Sequence, residues 1–416
     1  MTEFPIGLDD IRSAAQRLAA VAVRTPLLPA PRLSRRFGYD IWLKLENLQV
    51  TGSYKIRGAF NNIAQLDEGV RQLGVVAASA GNHAQGVAFS ARHFGVAPQS
   101  VVFVPTETPI VKREATKAYG VEVRLEGANF DETKRAALAF SEAEGRAFIH
   151  PFDDWATIAG QGTIGLEIAE QIDRFDAVVV PIGGGGLISG IALALRDLAP
   201  NVEVFGVQAR GAAAMQMSVS LGTRTTLLQP PQTLADGIQV AEPGEKAFRV
   251  VSDLIGAARL LTVSEREITA AMADLAMEAK VVAEGAGAVA LAGLISAAGQ
   301  RTIRAGIRVV VVVSGGNSDP GLLQQVFYDQ LISGRIFKRM RVHLNDKPGK
   351  LVAVLMRIAL ANINVRDIAF ERQHANDQPA TRTVDIEVEV DNVAHLQGVI
   401  DELRRIGIDV EERPPE

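Results

Sequence analysis

The feature that most constrains the fold is an alternation of short β-branched runs with alanine-rich segments of helical periodicity. Such runs include "DAVVVPIGGGG" at 176–186 and "IRVVVVVSGG" at 307–316, and four more lie between residues 73 and 209. Strands that alternate with helices are joined by crossover connections, which place the strands parallel in one sheet with helices on its faces. We therefore predict an α/β fold with open parallel sheets.

The pattern changes near residue 335. From there the chain reads as strand, helix, two strands, helix and strand, which is the βαββαβ order of a ferredoxin-like unit. We predict a first domain over residues 1–330, with a smaller subdomain within roughly 50–155, and a second domain over 337–416. The joining segment "LISGRIFK" is short and not of low complexity, so we expect the tail to be docked rather than loosely tethered.

Composition excludes several kinds of function. The 416 residues carry a formal net charge of −5 and contain no basic run, which argues against nucleic-acid binding. There is no cysteine, so a disulfide framework, a catalytic thiol and thiolate metal ligands are ruled out. The most apolar runs are short or are interrupted by Glu284 and glycines, and the N-terminus lacks a signal-peptide pattern. We expect a cytoplasmic protein without a membrane span.

Four consecutive glycines, Gly183 to Gly186, follow an apolar strand and precede an apolar helix. Glycines there let successive backbone N–H groups converge on a phosphate at a helix N-terminus, where the helix dipole also favours negative charge. A tight turn between strand and helix is the alternative. The dinucleotide motif G-x-G-x-x-G cannot be placed on this run, and the P-loop motif is absent. The run predicts an anion site.

Two further loops follow predicted strands. In "SAGNHAQG", residues 79–86, Ser79 and Asn82 suit either helix capping or donation to a carboxylate and a ring oxygen. In "VVSGGNSD", residues 312–319, Ser314 ends a fully apolar strand, which is where ligands of open α/β sheets bind. An ordinary turn would explain this second loop as well.

An isolated lysine is the most unusual residue of the sequence. Lys55 lies among small residues in "TGSYKIRGA", residues 51–59, where a solvated helix face would carry several charges. A lysine amine forms a Schiff base with an aldehyde, and a phosphorylated pyridine aldehyde also needs a phosphate site and groups facing its ring substituents. The lysine and the three loops together predict a pyridoxal 5'-phosphate site.

Taken in order, the motifs "TGSYKIRGA", "SAGNHAQG", "GGGGLISG" and "SGGNSD" resemble those of the fold-type II pyridoxal-phosphate enzymes. The resemblance is closest to the threonine ammonia-lyases (threonine dehydratases) that carry a C-terminal regulatory domain, and it covers roughly residues 5–330. The tail is separately similar to ACT regulatory domains. The implied fold is a two-subdomain core like that of tryptophan synthase β, followed by an ACT domain.

The resemblance implies roles for the matching residues. Lys55 would bind the cofactor aldehyde and remove the substrate α-proton, Asn82 would contact the phenolic oxygen of the cofactor, and Ser314 would face its pyridine nitrogen. The phosphate would be held by Gly183, Gly184, Gly185, Gly186 and Leu187. The substrate carboxylate would be held by Ser79, Ala80, Gly81 and Asn82. Glu284, in "AEGAGA", lies in a segment that the family places near the cofactor, and a structural role is equally open.

The activity implied by the resemblance is β-elimination on L-threonine, which yields 2-oxobutanoate and ammonia; serine would give pyruvate in the same way. The cofactor phosphate is the implied acid for the departing hydroxyl, because no histidine stands out in the sequence. Serine dehydratase, serine racemase and 3-hydroxyaspartate dehydratase are close alternatives. A nucleotide-dependent oxidoreductase and a non-catalytic amino-acid sensor are the alternatives from other classes.

The sequence departs from some relatives in one place. Relatives that bind a cation near the phosphate present an acid after the strand "VEVFGV", where this chain has Gln208 and, further on, Ala214. A hard divalent ion prefers carboxylates. We therefore expect no divalent metal at this position.

The tail contains the loop "LNDKPGKL" between a strand and a helix. The resemblance to ACT domains implies that this loop binds an amino-acid effector, with isoleucine or valine as the expected ligand, although a polar turn is the plain alternative. The residues expected to take part are Asn345, Asp346, Gly349 and Leu351. We also expect a homo-oligomer, either a dimer or a tetramer.

Overall fold

The computed structural model describes residues 3–333, 337–370, 381–390 and 393–413, and it divides into two compact units, Met1–Asp319 and Pro320–Glu416. The strands of the first unit are β1 (Leu27–Pro29), β2 (Asp40–Leu45), β3 (Val75–Ala78), β4 (Val101–Val104), β5 (Glu122–Leu125), β6 (Ala147–Phe148), β7 (Ala177–Pro181), β8 (Glu203–Ala209), β9 (Leu260–Val263) and β10 (Arg308–Val313). Its helices are α1 (Leu8–Leu18), α2 (Pro31–Phe37), α3 (Lys55–Ala64), α4 (Glu68–Gln72), α5 (Asn82–His93), α6 (Ile110–Lys117), α7 (Phe130–Glu144), α8 (Trp155–Gln171), α9 (Gly186–Leu198), α10 (Ala214–Leu221), α11 (Glu245–Leu254), α12 (Glu265–Asp274), α13 (Gly285–Ile295) and α14 (Ala297–Thr302).

A six-stranded sheet forms the larger layer of the first unit. Its strand order is β1-β2-β10-β7-β8-β9, and every pairing is parallel except that of β1 with β2. All five residues of β7 are buried, as are the five valines of β10, because helices cover both faces of the sheet. Continuous apolar strands of this kind are what a parallel sheet with two covered faces requires.

A second sheet, of four parallel strands, has the order β5-β4-β3-β6. Its central strands β3 and β4 are wholly buried, and α5 and α7 pack against it. The predicted parallel α/β fold is confirmed, with strands at all six of the β-branched runs. Strands β1, β2, β6 and β9 were not predicted.

A buried ion network joins the larger sheet to the two helices beside it. The guanidinium of Arg57 in α3 donates to both carboxylate oxygens of Glu46, each at 2.8 Å, and to Glu167 of α8 at 2.6 Å. Lys44 of β2 donates to the other oxygen of Glu167 at 2.5 Å. Burial would raise the pKa of Glu46, but Arg57 and Lys44 outweigh burial and hold that pKa below its ordinary value. The network is therefore charged, internally balanced, and fixes the start of α3.

The second unit has the predicted βαββαβ order, preceded by a helix. Its elements are α15 (Pro320–Ser333), β11 (Phe337–Asn345), α16 (Lys350–Leu360), β12 (Asn364–Phe370), β13 (Thr381–Glu389), α17 (Val393–Arg405) and β14 (Asp409–Arg413). The antiparallel sheet has the order β12-β13-β11-β14, and a separate apolar core lies between this sheet and its helices. The ferredoxin-like prediction for the tail is confirmed.

Within the part of the chain that the structure describes, no helix combines the length and the apolar character needed to span a bilayer.

The ion network generates a stability prediction. We expect Arg57→Met to lower the free energy of unfolding by about 3–5 kcal/mol, because it leaves the buried Glu46 without its partner. The matched control is Arg24→Met, which breaks an ion pair between Arg24 and Glu170 of the same helix α8. The side chains of Arg24 and Glu170 are both more than half exposed. That change should cost at most about 1 kcal/mol. Denaturant unfolding of the two variants measures the difference, and equal losses would contradict the assigned role of the network.

Candidate active site

A cavity of about 820 Å³ lies where strands of both sheets of the first unit end. The predicted residues that line it are Lys55, Ser79, Ala80, Gly81, Asn82, Gly183, Gly184, Gly185, Gly186, Leu187, Glu284 and Ser314. These residues come from separate loops that follow β3, β7 and β10 and from the starts of α3 and α13. Parallel strands bring their carboxyl ends to one edge, which is why segments distant in sequence meet here.

The four residues predicted in the tail lie elsewhere. Asn345 ends β11, Asp346 and Gly349 lie in the loop that follows, and Leu351 is in the first turn of α16. Gly349 has φ +84°, in the left-handed region, and Asp346 accepts a hydrogen bond from Arg382 at 3.1 Å. These four residues belong to the second unit and are not among the described residues that line the cavity.

Lys55 is the first residue of α3 and is nearly buried. Its Nζ donates to the carbonyl oxygen of Pro151 at 3.1 Å. Burial lowers the pKa of this amine to about 8, against the opposing influence of Glu284. The uncharged form of the amine is therefore far more populated near neutral pH than in an ordinary lysine, and an uncharged amine can act as a nucleophile or as a base.

Glu284 is a buried carboxyl group in the wall of the same cavity. Burial, together with the negative charge of Asp236, raises its pKa to about 7. Its Oε1 accepts a hydrogen bond from Nδ2 of Asn82 at 2.7 Å. An acid and an amine whose pKa values are both shifted toward neutrality, in one cavity, are typical of a catalytic site.

The glycine run forms a narrow turn into α9. A Cβ on Gly184 would lie 2.3 Å from the ring of Phe152, and a Cβ on Gly186 would lie 2.5 Å from the backbone oxygen of Phe152. Gly185, the residue before the helix, has φ +98°. Residues larger than glycine do not fit this turn. The first amides of α9 have no acceptor within the helix, as at any helix start. These amides can bind a phosphate.

A second helix start faces the cavity at residues 79–82. Helix α5 begins at Asn82, with Gly81 before it, and the amide of Gly81 donates to Oγ of Ser79 at 3.2 Å. The amides of the first turn lack intrahelical partners, as in any helix. They are therefore available to a small anion such as a carboxylate.

Ser314 follows the last residue of β10 and is buried. Its hydroxyl donates to the carbonyl oxygen of Ala286 at 3.2 Å, and its own carbonyl accepts from the amide of Tyr54 at 3.1 Å. Since Tyr54 immediately precedes Lys55, backbone hydrogen bonding holds the serine and the lysine in a fixed relation.

Two histidines near Lys55 were missed by the sequence reasoning. His83 lines the cavity, and its Nε2 donates to the carbonyl oxygen of Ile149 at 2.8 Å, because a carbonyl can only accept. Burial and the charge of Lys55 lower the pKa of His83 to about 3, and burial lowers that of His150 to about 3 as well. Both rings are neutral at ordinary pH. The sequence around His83 was interpreted for its backbone donors, and the contact of the His83 ring with Ile149 depends on the fold.

The side chain of Gln208 is engaged with the protein backbone. Its Nε2 donates to the carbonyl oxygen of Ala212 at 3.0 Å, and its Oε1 accepts from the amide of Gln216 at 2.8 Å. The side-chain amide of Gln208 therefore links the end of β8 to the start of α10. In the described ranges, no cluster of three or more histidine, cysteine, aspartate or glutamate side chains is placed to hold a metal ion.

These groups fit pyridoxal 5'-phosphate. Lys55 supplies a partly uncharged amine for the aldehyde, the glycine run supplies unpartnered amides for the phosphate, and Ser314 and Asn82 supply polar groups for the ring. The cavity volume is within the range of small-molecule and cofactor sites.

Comparisons with known proteins agree with this fit. A family model described as pyridoxal-phosphate dependent enzyme matches residues 19–315, and one described as ACT domain matches residues 337–408. The L-threonine ammonia-lyase of Thermotoga maritima is 42% identical over 397 residues, which cover 95% of this chain and 96% of that protein. The catabolic L-threonine dehydratase TdcB of Escherichia coli (strain K12) is 44% identical over 324 residues, covering 78% of this chain and 97% of that protein.

Similar solved structures include threonine deaminases and serine racemases. The processed form of threonine deaminase isoform 2 from Solanum lycopersicum matches with a TM-score of 0.73 at 39% identity, covering 77% of this chain and 86% of that one. The predicted fold class, cofactor and family resemblance are confirmed. The chain belongs to the pyridoxal-phosphate-dependent enzymes, in the group of the threonine ammonia-lyases, with an ACT domain at its C-terminus.

Proposed function

We propose that the chain is an L-threonine ammonia-lyase, which converts L-threonine into 2-oxobutanoate and ammonia and also accepts L-serine, giving pyruvate. The observation that carries the proposal is the buried amine of Lys55, with a pKa of about 8, in one cavity with the glycine run that begins α9. The similarity to L-threonine ammonia-lyases over 95% of the chain supports threonine as the substrate.

Each residue has a separate task in this proposal. The amides at the start of α9 hold the cofactor phosphate, Lys55 binds the aldehyde, Asn82 donates to the phenolic oxygen, and Ser314 faces the ring nitrogen. When bound, the conjugated ring supplies a sink for the negative charge that develops on the substrate α-carbon. The Nζ of Lys55 removes the α-proton, for which an uncharged amine is required.

The substrate is oriented at the start of α5. The segment from Ser79 to Asn82 binds its carboxylate, chiefly through the amides at the start of α5, and this places the α-hydrogen toward Lys55. Threonine loses its α-proton and its β-hydroxyl as water. The resulting enamine tautomerises to an imine, and hydrolysis of the imine takes up one water, so that the net products are 2-oxobutanoate and ammonia.

The tail carries the proposed regulation. We infer that the loop with Asn345, Asp346, Gly349 and Leu351 binds isoleucine or valine, and that the effector changes the affinity of the first unit for threonine. Support comes from the ACT family match and from the left-handed Gly349, which leaves the start of α16 open to a ligand. The chain is further proposed to act as a homo-oligomer in the cytoplasm without a divalent metal.

Replacing the lysine tests the catalytic proposal. Lys55→Ala should abolish oxoacid release from L-threonine and the visible absorbance of bound cofactor, because the other described lysine that lines the cavity, Lys112, is paired with Asp236. Far-ultraviolet circular dichroism should show that the fold is retained. Assays against threonine, serine and 3-hydroxyaspartate rank the substrates of the unaltered protein. Turnover by Lys55→Ala at the unaltered rate would contradict the assignment.

The lowered pKa of Lys55 predicts how cofactor uptake depends on pH. The rate at which cofactor-free protein takes up pyridoxal 5'-phosphate should rise with pH, with its midpoint near pH 8, where half of the amine is uncharged, and should level off above that. An ordinary lysine would continue to gain reactivity up to about pH 10. In Glu284→Gln the midpoint should move to lower pH, because Glu284 supports the charged form of Lys55. Stopped-flow absorbance measures both profiles, and a midpoint near pH 10 would contradict the account.

Removal of the tail tests the proposed regulation. A chain ending at residue 333 should still release 2-oxobutanoate, since the relative TdcB matches this chain over only 324 residues. It should lose any response to isoleucine or valine, which in the full chain is expected to be about 5-fold or more. Gly349→Val in the full chain should weaken the same response. A truncated chain that responds like the full one would show that the effector binds elsewhere.

A further inference from the structure

We propose that Asn317 and Glu284 are positioning residues that fix which end of the Asn82 side-chain amide faces the cavity. They keep one N–H of Asn82 directed at an oxygen acceptor of the bound ligand. This inference rests on the proposed function, because the acceptor is the phenolic oxygen of the cofactor.

The carboxylate of Glu284 determines one end of the amide. Its Oε1 lies 2.7 Å from Nδ2 of Asn82, and an ionised carboxylate can only accept hydrogen bonds. The two groups pack over Gly315, where a Cβ would lie 2.3 Å from Oε1 of Glu284 and 3.2 Å from Nδ2 of Asn82. When Glu284 is ionised, the nitrogen of the Asn82 amide must therefore face it.

Asn317 determines the other end independently. Its Nδ2 donates to the carbonyl oxygen of Thr51 at 2.9 Å and to Oδ1 of Asn82 at 2.8 Å. The Thr51 carbonyl can only accept, so the atom of Asn317 that faces it must be the nitrogen. The atom of Asn82 that faces this same nitrogen must then be the oxygen. Both partners require the same orientation of the Asn82 amide.

Close packing prevents Asn317 from turning away. Gly52 has φ +71°, and a Cβ built on it would lie 2.2 Å from Oδ1 of Asn317. The amide of Gly316 also donates to the carbonyl oxygen of Gly52 at 2.9 Å. The loop after β10 and the segment before Lys55 are thus joined, and the side chain of Asn317 occupies the space that glycine leaves.

Counting hydrogens shows what remains for a ligand. Nδ2 of Asn82 carries two hydrogens, and one is donated to Glu284. The second N–H has no acceptor among the described residues, and Asn82 lines the cavity. A reversed amide would present its oxygen to the ligand, and an oxygen facing an anionic phenolic oxygen is repulsive. Glu284 and Asn317 therefore ensure that a hydrogen-bond donor of Asn82, and not its oxygen, faces the phenolic oxygen.

The residues that orient the Asn82 amide come from a different part of the first unit than Asn82 itself. Asn82 begins α5, beside the four-stranded sheet, whereas Glu284 precedes α13 and Asn317 follows β10 of the six-stranded sheet. Asn82 is in position to bind the ligand only when the elements of the two sheets are together, as they are here.

The test compares holoenzymes altered within one loop. In Asn317→Asp, the new carboxylate faces Oδ1 of Asn82, and repulsion between these oxygens favours the reversed amide, which presents its oxygen rather than an N–H to the cofactor. We expect the dissociation constant of pyridoxal 5'-phosphate to rise about 10-fold, which is the loss expected for a hydrogen bond to a charged group. Asn317→Ala, at an exposed position, should fold normally and should give a smaller rise, about 3-fold, because Glu284 still orients the amide.

A spectroscopic measurement separates positioning from mere loop support. A donor to the anionic phenolic oxygen lowers the pKa of that group, so both Asn317 variants should raise the pKa seen in the visible absorbance of the bound cofactor. The matched controls are Ser318→Ala and Ser318→Asp. Ser318 is in the same loop, and its hydroxyl donates to Ala283 rather than to Asn82. Both controls should keep the affinity and the absorbance pH profile of the unaltered protein.

The possible failures can be distinguished. If the unaltered protein binds no pyridoxal 5'-phosphate, the proposed function fails and this inference fails with it. If the unaltered protein binds the cofactor but the Asn317 variants share its affinity and pH profile, only the inference is overturned. Equal changes in the Asn317 and Ser318 variants would reduce Asn317 to a loop contact and would also overturn it.

Discussion

The buried ion network of Glu46, Arg57, Glu167 and Lys44 is the interaction on which the site depends. Two cations and two anions, of which Glu167 alone is more than slightly exposed, satisfy one another between β2, α3 and α8. Charges this deep are tolerated only when they are paired and hydrogen-bonded, so the network permits one arrangement of these elements. Arg57 lies two residues after Lys55, and the same arrangement fixes where the amine of Lys55 enters the cavity.

Near Lys55, the site presents backbone amides at the starts of two helices. Two helices, α5 and α9, begin at its wall and present amides that no carbonyl within the helix can accept, which suits a carboxylate and a phosphate. Burial then adjusts the side chains, lowering the pKa of Lys55 and raising that of Glu284 toward neutrality. In the proposed function, anion binding, proton transfer and ring contacts are thus assigned to different elements.

Much of this architecture could be predicted from the sequence, because short valine-rich runs and glycine-rich strand ends are local signals. Parallel strands gather their carboxyl ends, so residues as distant as Lys55 and Ser314 could be placed in one site. Strand β2 was missed because Asp40 and Lys44 make it unlike the valine-rich runs that marked the predicted strands. The partner that makes a buried Lys44 tolerable, Glu167, is 123 residues away. His83 and Asn317 were missed for the same reason, since their roles depend on partners that only the fold brings near.

The central claim is that the buried amine of Lys55 binds the aldehyde of pyridoxal 5'-phosphate in an enzyme that deaminates threonine. Borohydride reduction of the purified, cofactor-loaded protein makes this linkage permanent, and peptide mass spectrometry then locates it. The account predicts a single pyridoxyl group, on the peptide that contains Lys55, and loss of 2-oxobutanoate formation in step with the modification. A pyridoxyl group on another lysine, or full threonine turnover after Lys55 is modified, would contradict it.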